Sequence, residues 1–163
     1  MGQSRGMQIF PLILILSTAI SLPAETGEQP KPPEDYSGTY SFLQDGEFVQ
    51  ITIEDQGKVT GFISRFGDED NNRGTFLDHF FKEGKLDGTK LTFKTQIVHG
   101  VAYEFAGVVE QGEGKTSGQE GYHVLKGTLT QSTTDANKKT ASKTRDVILK
   151  SFPQDLGTPE KPN

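Results

Sequence analysis

The sequence predicts an all-β protein, an antiparallel up-and-down meander of about eight strands closed into a barrel. Two observations carry this. Short runs alternate apolar and polar residues with the period of a half-buried strand. Between them lie pieces rich in Gly, Asp, Asn and Ser, at the spacing of hairpin turns rather than of helical crossovers, which need a dozen or more residues. No stretch of the body has a convincing helical pattern.

The design is clearest in KEGKLDGTKLTFKT, Lys82–Thr95, which reads as two strands around a tight Asp87-Gly88 turn. Asp-Gly supplies the positive φ angles of a two-residue hairpin loop. Leu91, Phe93, Thr95 and Ile97 then share one face, and Lys90, Thr92, Lys94 and Gln96 the other. Taken in order, the expected strands are about Gly38–Leu43, Phe48–Glu54, Val59–Phe66, Phe76–Lys82, Leu91–Val98, Val101–Val109, Tyr122–Thr130 and Thr144–Lys150. Alternation assigns to the interior Tyr40 and Phe42, then Val49, Ile51 and Ile53. It continues with Tyr103, Phe105, Gly107 and Val109, then Leu125 and Leu129, and last Val147 and Leu149. Gly38, Gly61, Gly107 and Gly127 interrupt strands, as the coiling of a barrel requires. Two strands leave their facing open. Val59-Gly61-Ile63-Arg65 competes with Thr60-Phe62-Ser64-Phe66, and Phe76-Asp78-Phe80 with Leu77-His79-Phe81.

The chain has 163 residues, enough for one domain. Ile9–Leu22 is apolar, follows a thinly basic start at Arg5, and is too short for the roughly 30 Å of a bilayer core. It has the form of a secretory signal peptide, residues 1–24, cleaved after Ala24, with Ser21 as the alternative. Export to the periplasm or medium is the expected address, with no membrane anchor after cleavage. Residues 25–35 form a Pro-rich acidic tail, 36–152 the barrel, and 153–163 a second polar tail. There is no Cys, so the exported fold stands without disulfides or a lipid-bearing thiol. The net charge of −5 becomes about −6 once Arg5 leaves with the leader, which argues against nucleic acid as a partner. Lys138, Lys139, Lys143, Arg145 and Lys150 read as one solvated strand face.

Ser37-Gly38-Thr39-Tyr40, a Gly two positions before an aromatic on the first strand, resembles the opening of the calycins. In lipocalins and avidins a Gly-x-Trp triplet stands there and closes the barrel floor. Val59-Thr60-Gly61, Leu91-Thr92-Phe93 and Lys126-Gly127-Thr128-Leu129 are similar in texture to avidin strands. The resemblance implies a small exported calycin-like barrel with a ligand lumen. Avidins line their biotin site with tryptophans; this chain has Tyr40 in place of the first and no Trp anywhere, so no residue role carries over.

Four residues are candidates for contacting a ligand: Tyr40, Arg65, Tyr103 and His123. Tyr40 and Tyr103 are aromatic with a polar tip. His123 shares a face with Leu125 and Leu129. Arg65, if inward, would hold a carboxylate bidentately; the sequence slightly favours the reading in which Phe62 and Phe66 point inward and Arg65 is solvated. His79, His99 and His123 lack the local spacing of a metal pair. Asp68-Glu69-Asp70-Asn71-Asn72 has no Glu at the twelfth position of a calcium loop, where His79 stands instead. No nucleophile, base and orienting group share a context, and no cofactor motif is present. The function so implied is a non-catalytic barrel binding a small, largely apolar ligand. The alternative is a protein-interaction or protease-inhibitor module that uses the N-terminal tail and rim loops against an extracytoplasmic protein. Barrels of this size either fill with side chains or hold one small ligand, and the oligomeric state is left open.

Overall fold

A computed structural model of the chain describes residue 2 and residues 35–154 apart from 69 and 71. The expected signal peptide apart from residue 2, residues 25–34 and the segment after Gln154 lie outside the described residues. The barrel belongs to the unit Pro33–Asn163.

Eight strands follow one another: β1 Gly38–Ser41, β2 Phe48–Ile53, β3 Val59–Phe66, β4 Phe76–Asp87, β5 Lys90–Thr95, β6 Val101–Gln111, β7 His123–Thr134 and β8 Thr140–Lys150. They form one antiparallel sheet in sequence order. The sheet curls until its ends meet. Tyr40 bridges Ser151, and Phe152 N–H donates to Thr39 O at 2.8 Å. The seam is short because β1 has only four residues. The antiparallel up-and-down barrel expected from the sequence is therefore the fold found. A single turn of 3₁₀ helix, Asp55–Gly57, links β2 to β3.

The Lys82–Thr95 hairpin forms with its turn one residue further on. Asp87 pairs with Lys90, so the loop residues are Gly88 and Thr89. Gly88 has φ +61° and Thr89 is not in the positive region, which matches a turn that needs Gly only at its first loop position. Leu91, Phe93 and Thr95 are buried as expected. Ile97 is not; it is 68% exposed, because β5 ends at Thr95 and Gln96 N–H turns to Phe80 O at 2.8 Å. β4 also runs past the expected stop, through Gly84, with a register shift between Phe81 and Glu83.

Both open facings are decided by where the aromatics find company. Val59, Ile63 and Arg65 face inward, as do Leu77 and His79. The competing phenylalanines cover one another on the outside: Phe62 lies 5.9 Å from Phe48 and 5.4 Å from Phe80, and Phe66 lies 4.5 Å from Phe76. Phe62 and Phe66 are thus not interior residues, and Arg65 is not solvated.

The core is built on Phe81, Phe93 and Phe105, stacked across β4, β5 and β6 with centroids 4.3 and 5.2 Å apart. Phe105 is fully buried, as are Leu125 and Leu129. Gly61 makes this packing possible. Its φ is +149°, and a Cβ there would meet Gln50 O at 1.9 Å and the Phe81 ring at 3.0 Å. Only a residue without a side chain fits so close to both.

Candidate ligand-binding site

The four sequence candidates separate into two groups. Gln111 of β6 pairs with His123, and Tyr103 of the same strand pairs with Gln131. Eight residues of strand divide these positions, roughly 25 Å at the usual rise.

At the β1 floor, Tyr40 is buried and its hydroxyl donates to Tyr36 O at 2.8 Å. Burial raises its phenol above the ordinary range, with Asp35 adding to the effect. The His123 ring stands 5.0 Å edge-on to Tyr36 and 4.5 Å from Tyr122, while the backbone N–H of His123 donates to Ser151 Oγ at 3.1 Å. Tyr40 and His123 are both buried at the end of the barrel where the chain after β8 meets β1.

Arg65 and Tyr103 meet at the opposite mouth, from which the β7–β8 hairpin projects beyond Gln131 to the Thr134–Thr140 pair. His79 joins them. Arg65, only 5% exposed, donates Nε–H to His79 Nε2 at 3.1 Å and Nη1–H to Phe66 O at 2.9 Å. Its one carboxylate contact among the described residues is Asp68 on the rim, 3.4 Å away and 70% exposed. The Tyr103 ring stands edge-on to His79 at 5.2 Å and to Phe42 at 5.3 Å. Tyr103 N–H donates to Thr95 Oγ1 at 2.9 Å, which anchors β6 to β5 beside the mouth.

Because His79 Nε2 accepts from a guanidinium, its proton must sit on Nδ1 and the ring is neutral. Burial, helped by Arg65, lowers its pKa to about 4. Nδ1 makes no hydrogen bond of ordinary geometry, although the backbone of Gln96 and Val101 lies near enough to act on the ring. Burial pushes the Tyr103 phenol up to about 12, while the Arg65 charge works against that rise.

Three further residues at this mouth were not singled out from the sequence as ligand contacts. His79 had been weighed only as a metal ligand. Glu47 is buried, with Oε1 accepting Phe66 N–H at 3.0 Å and Oε2 accepting Gln44 N–H at 3.2 Å, so it ties the β1–β2 turn to the end of β3. Arg145 pairs with Leu129 and alternates with Val147 and Leu149 on the interior side. The late basic residues are therefore not one solvated face. Lys143 and Arg145 share the concave side, whereas Lys150 falls on the other parity. The alternation Arg145-Val147-Leu149 was the available signal, obscured by the charge run around it. Among the described residues no group of three metal-capable side chains occurs.

No protein-family model matches the chain, and comparison with curated proteins finds no match either. Solved structures do match, and they define its class as an avidin-like barrel fold. The crystal structure of rhizavidin is 11% identical, with 77% of this chain and 88% of that chain covered and a TM-score of 0.54. The crystal structure of the rhizavidin–biotin complex is 12% identical, with 71% and 99% covered and a TM-score of 0.51. At such identity the likeness is one of fold.

Proposed function

We propose that the chain is an exported, non-catalytic β-barrel that binds a small molecule at the mouth formed by Arg65, His79 and Tyr103. The observation that carries this reading is Arg65. A guanidinium buried in a barrel wall is costly, and here the carboxylate it meets among the described residues, Asp68, is solvent-exposed on the rim. Buried polar groups converging on one rim of an apolar barrel are the form that small-ligand sites take. The avidin-like fold supports the same class of function, because rhizavidin is solved in complex with biotin. Biotin itself is not the ligand we assign. Avidins line their site with tryptophans, and this chain contains none.

Native mass spectrometry of the exported protein tests the reading. A small-molecule adduct that leaves on denaturation supports it. An unliganded mass, together with no thermal stabilisation by any member of a metabolite library, overturns it. Sequencing the same sample from its N-terminus tests export, which requires a start near Glu25 and is excluded by a start at Met1.

A further inference from the structure

We infer that the molecule taken at this mouth is a small organic acid, held by its carboxylate between Arg65 and Arg145; this rests on the ligand-binding reading above. Each arginine is under-partnered for its position. Arg65 uses Nε and Nη1, and its Nη2 makes no hydrogen bond among the described residues. The His79 bond fixes the Nε edge of the guanidinium in the wall. Arg145 is half-buried on the interior face, yet it makes no hydrogen bond or ion pair among the described residues. Arg65 is linked to Tyr103 through the His79 ring, and Arg145 stands on the same interior face, its Leu129 pair one inward position from the Gln131 that pairs with Tyr103.

The acidic groups at the mouth do not cancel this arrangement. Glu47 has both oxygens committed to backbone N–H groups. Asp68 reaches Arg65 from the exposed rim at 3.4 Å, so it marks the side from which a ligand carboxylate approaches and with which it competes. Lys143 adds a third cation beside Arg145, in a cleft of about 320 Å³ that Gln131 and Thr133 also line. Two guanidinium groups recognise a carboxylate by charge-assisted hydrogen bonds in a way that no neutral isostere reproduces.

The experiment compares 4-phenylbutyrate with 4-phenylbutyramide, titrated into the ¹⁵N-labelled full chain at constant salt and followed by backbone amide shifts. The acid should perturb amides around Arg65, Tyr103 and Arg145 and bind at least about tenfold more tightly than the amide. Arg145→Gln should weaken acid binding about tenfold, whereas Lys90→Gln, on the outer face, should leave it unchanged. Arg145 makes no hydrogen bond or ion pair among the described residues, so this variant keeps the test open even if Arg65→Gln fails to fold. Equal binding of acid and amide at the same residues overturns the carboxylate inference and leaves the small-ligand reading standing. Absence of mouth shifts with either probe overturns both.

Discussion

Arg65 and His79 are joined by a hydrogen bond set diagonally across the β3–β4 ladder: Arg65 lies opposite Leu77, His79 lies opposite Ile63, and Nε reaches Nε2 at 3.1 Å. The bond couples a permanent cation to a ring that can accept only while neutral. The mouth is therefore built for the unprotonated histidine, and its integrity is tied to pH.

The sign of that dependence follows from the direction of the shift. Unfolded His79 titrates near 6.5 and folded His79 near 4, so between these values the unfolded chain binds the extra proton. Stability then rises with pH in this window. The contribution is fully present above about 6.5 and is lost as pH falls toward 4; it is on the order of 3 kcal/mol. Urea melts at pH 7 and 4.5 should show the wild type losing more stability than His79→Gln, whose amide oxygen accepts from Arg65 without titrating. An equal loss in both proteins would mean that His79 is not the titrating group.

Phe105 lies at the end of the three-ring stack and is fully buried. Phe105→Ala should cost about 3–5 kcal/mol, from lost burial and the cavity left behind. Glu104→Ala, one residue away on the outer face, removes a surface pair with Lys94 at 3.2 Å and should cost under about 1 kcal/mol. Denaturant midpoints of the two variants, measured side by side, read the facing of β6. A loss at 105 no greater than at 104 would contradict it.

Gly61 and Gly74 both have positive φ, +149° and +78°, but only Gly61 is crowded. Gly74→Ala has open space around its Cβ and should cost about 1 kcal/mol from backbone strain alone. Gly61→Ala would drive a methyl into Gln50 O and the Phe81 ring, and should cost several times as much or prevent accumulation. Comparable thermal midpoints for the two variants would refute the close packing of β2, β3 and Phe81.

Gln154 ties the chain end to the barrel floor, with Nε2–H donated to Ser37 O at 2.7 Å and N–H donated to Ser117 O at 2.9 Å. A chain ending at Gln154 should keep the full-length melting temperature. One ending at Phe152 loses both bonds and should fall by about 5 °C, corresponding to about 1–2 kcal/mol. Identical midpoints would show that residues 153–154 add nothing.

What the sequence by itself determined is the meander and most of its interior. Strict alternation in Leu91-Phe93-Thr95 and Tyr103-Phe105-Gly107 carries the facing without help, because one-residue slips would turn every apolar side chain outward. The short turns fix antiparallel neighbours, and Gly38 before Tyr40 marks the opening strand of a calycin-like barrel. The ligand mouth was legible only in part. On β3 and β4 both faces carry large apolar residues, Val59 and Ile63 against Phe62 and Phe66, Leu77 and Phe81 against Phe76 and Phe80, so hydrophobicity could not choose between them. That choice waited for Phe48, Phe76 and Phe80, brought alongside from neighbouring strands. Arg65 and Tyr103 were visible as residues but not as neighbours, and Tyr40 and His123 lie at the opposite end of the barrel. Arg145 was hidden in a charge run whose parity matters only once the strand has a concave side. Local periodicity says which way a side chain points, whereas a site needs side chains from β3, β4, β6 and β8 at one rim, and only the curl and register of the closed sheet put them there.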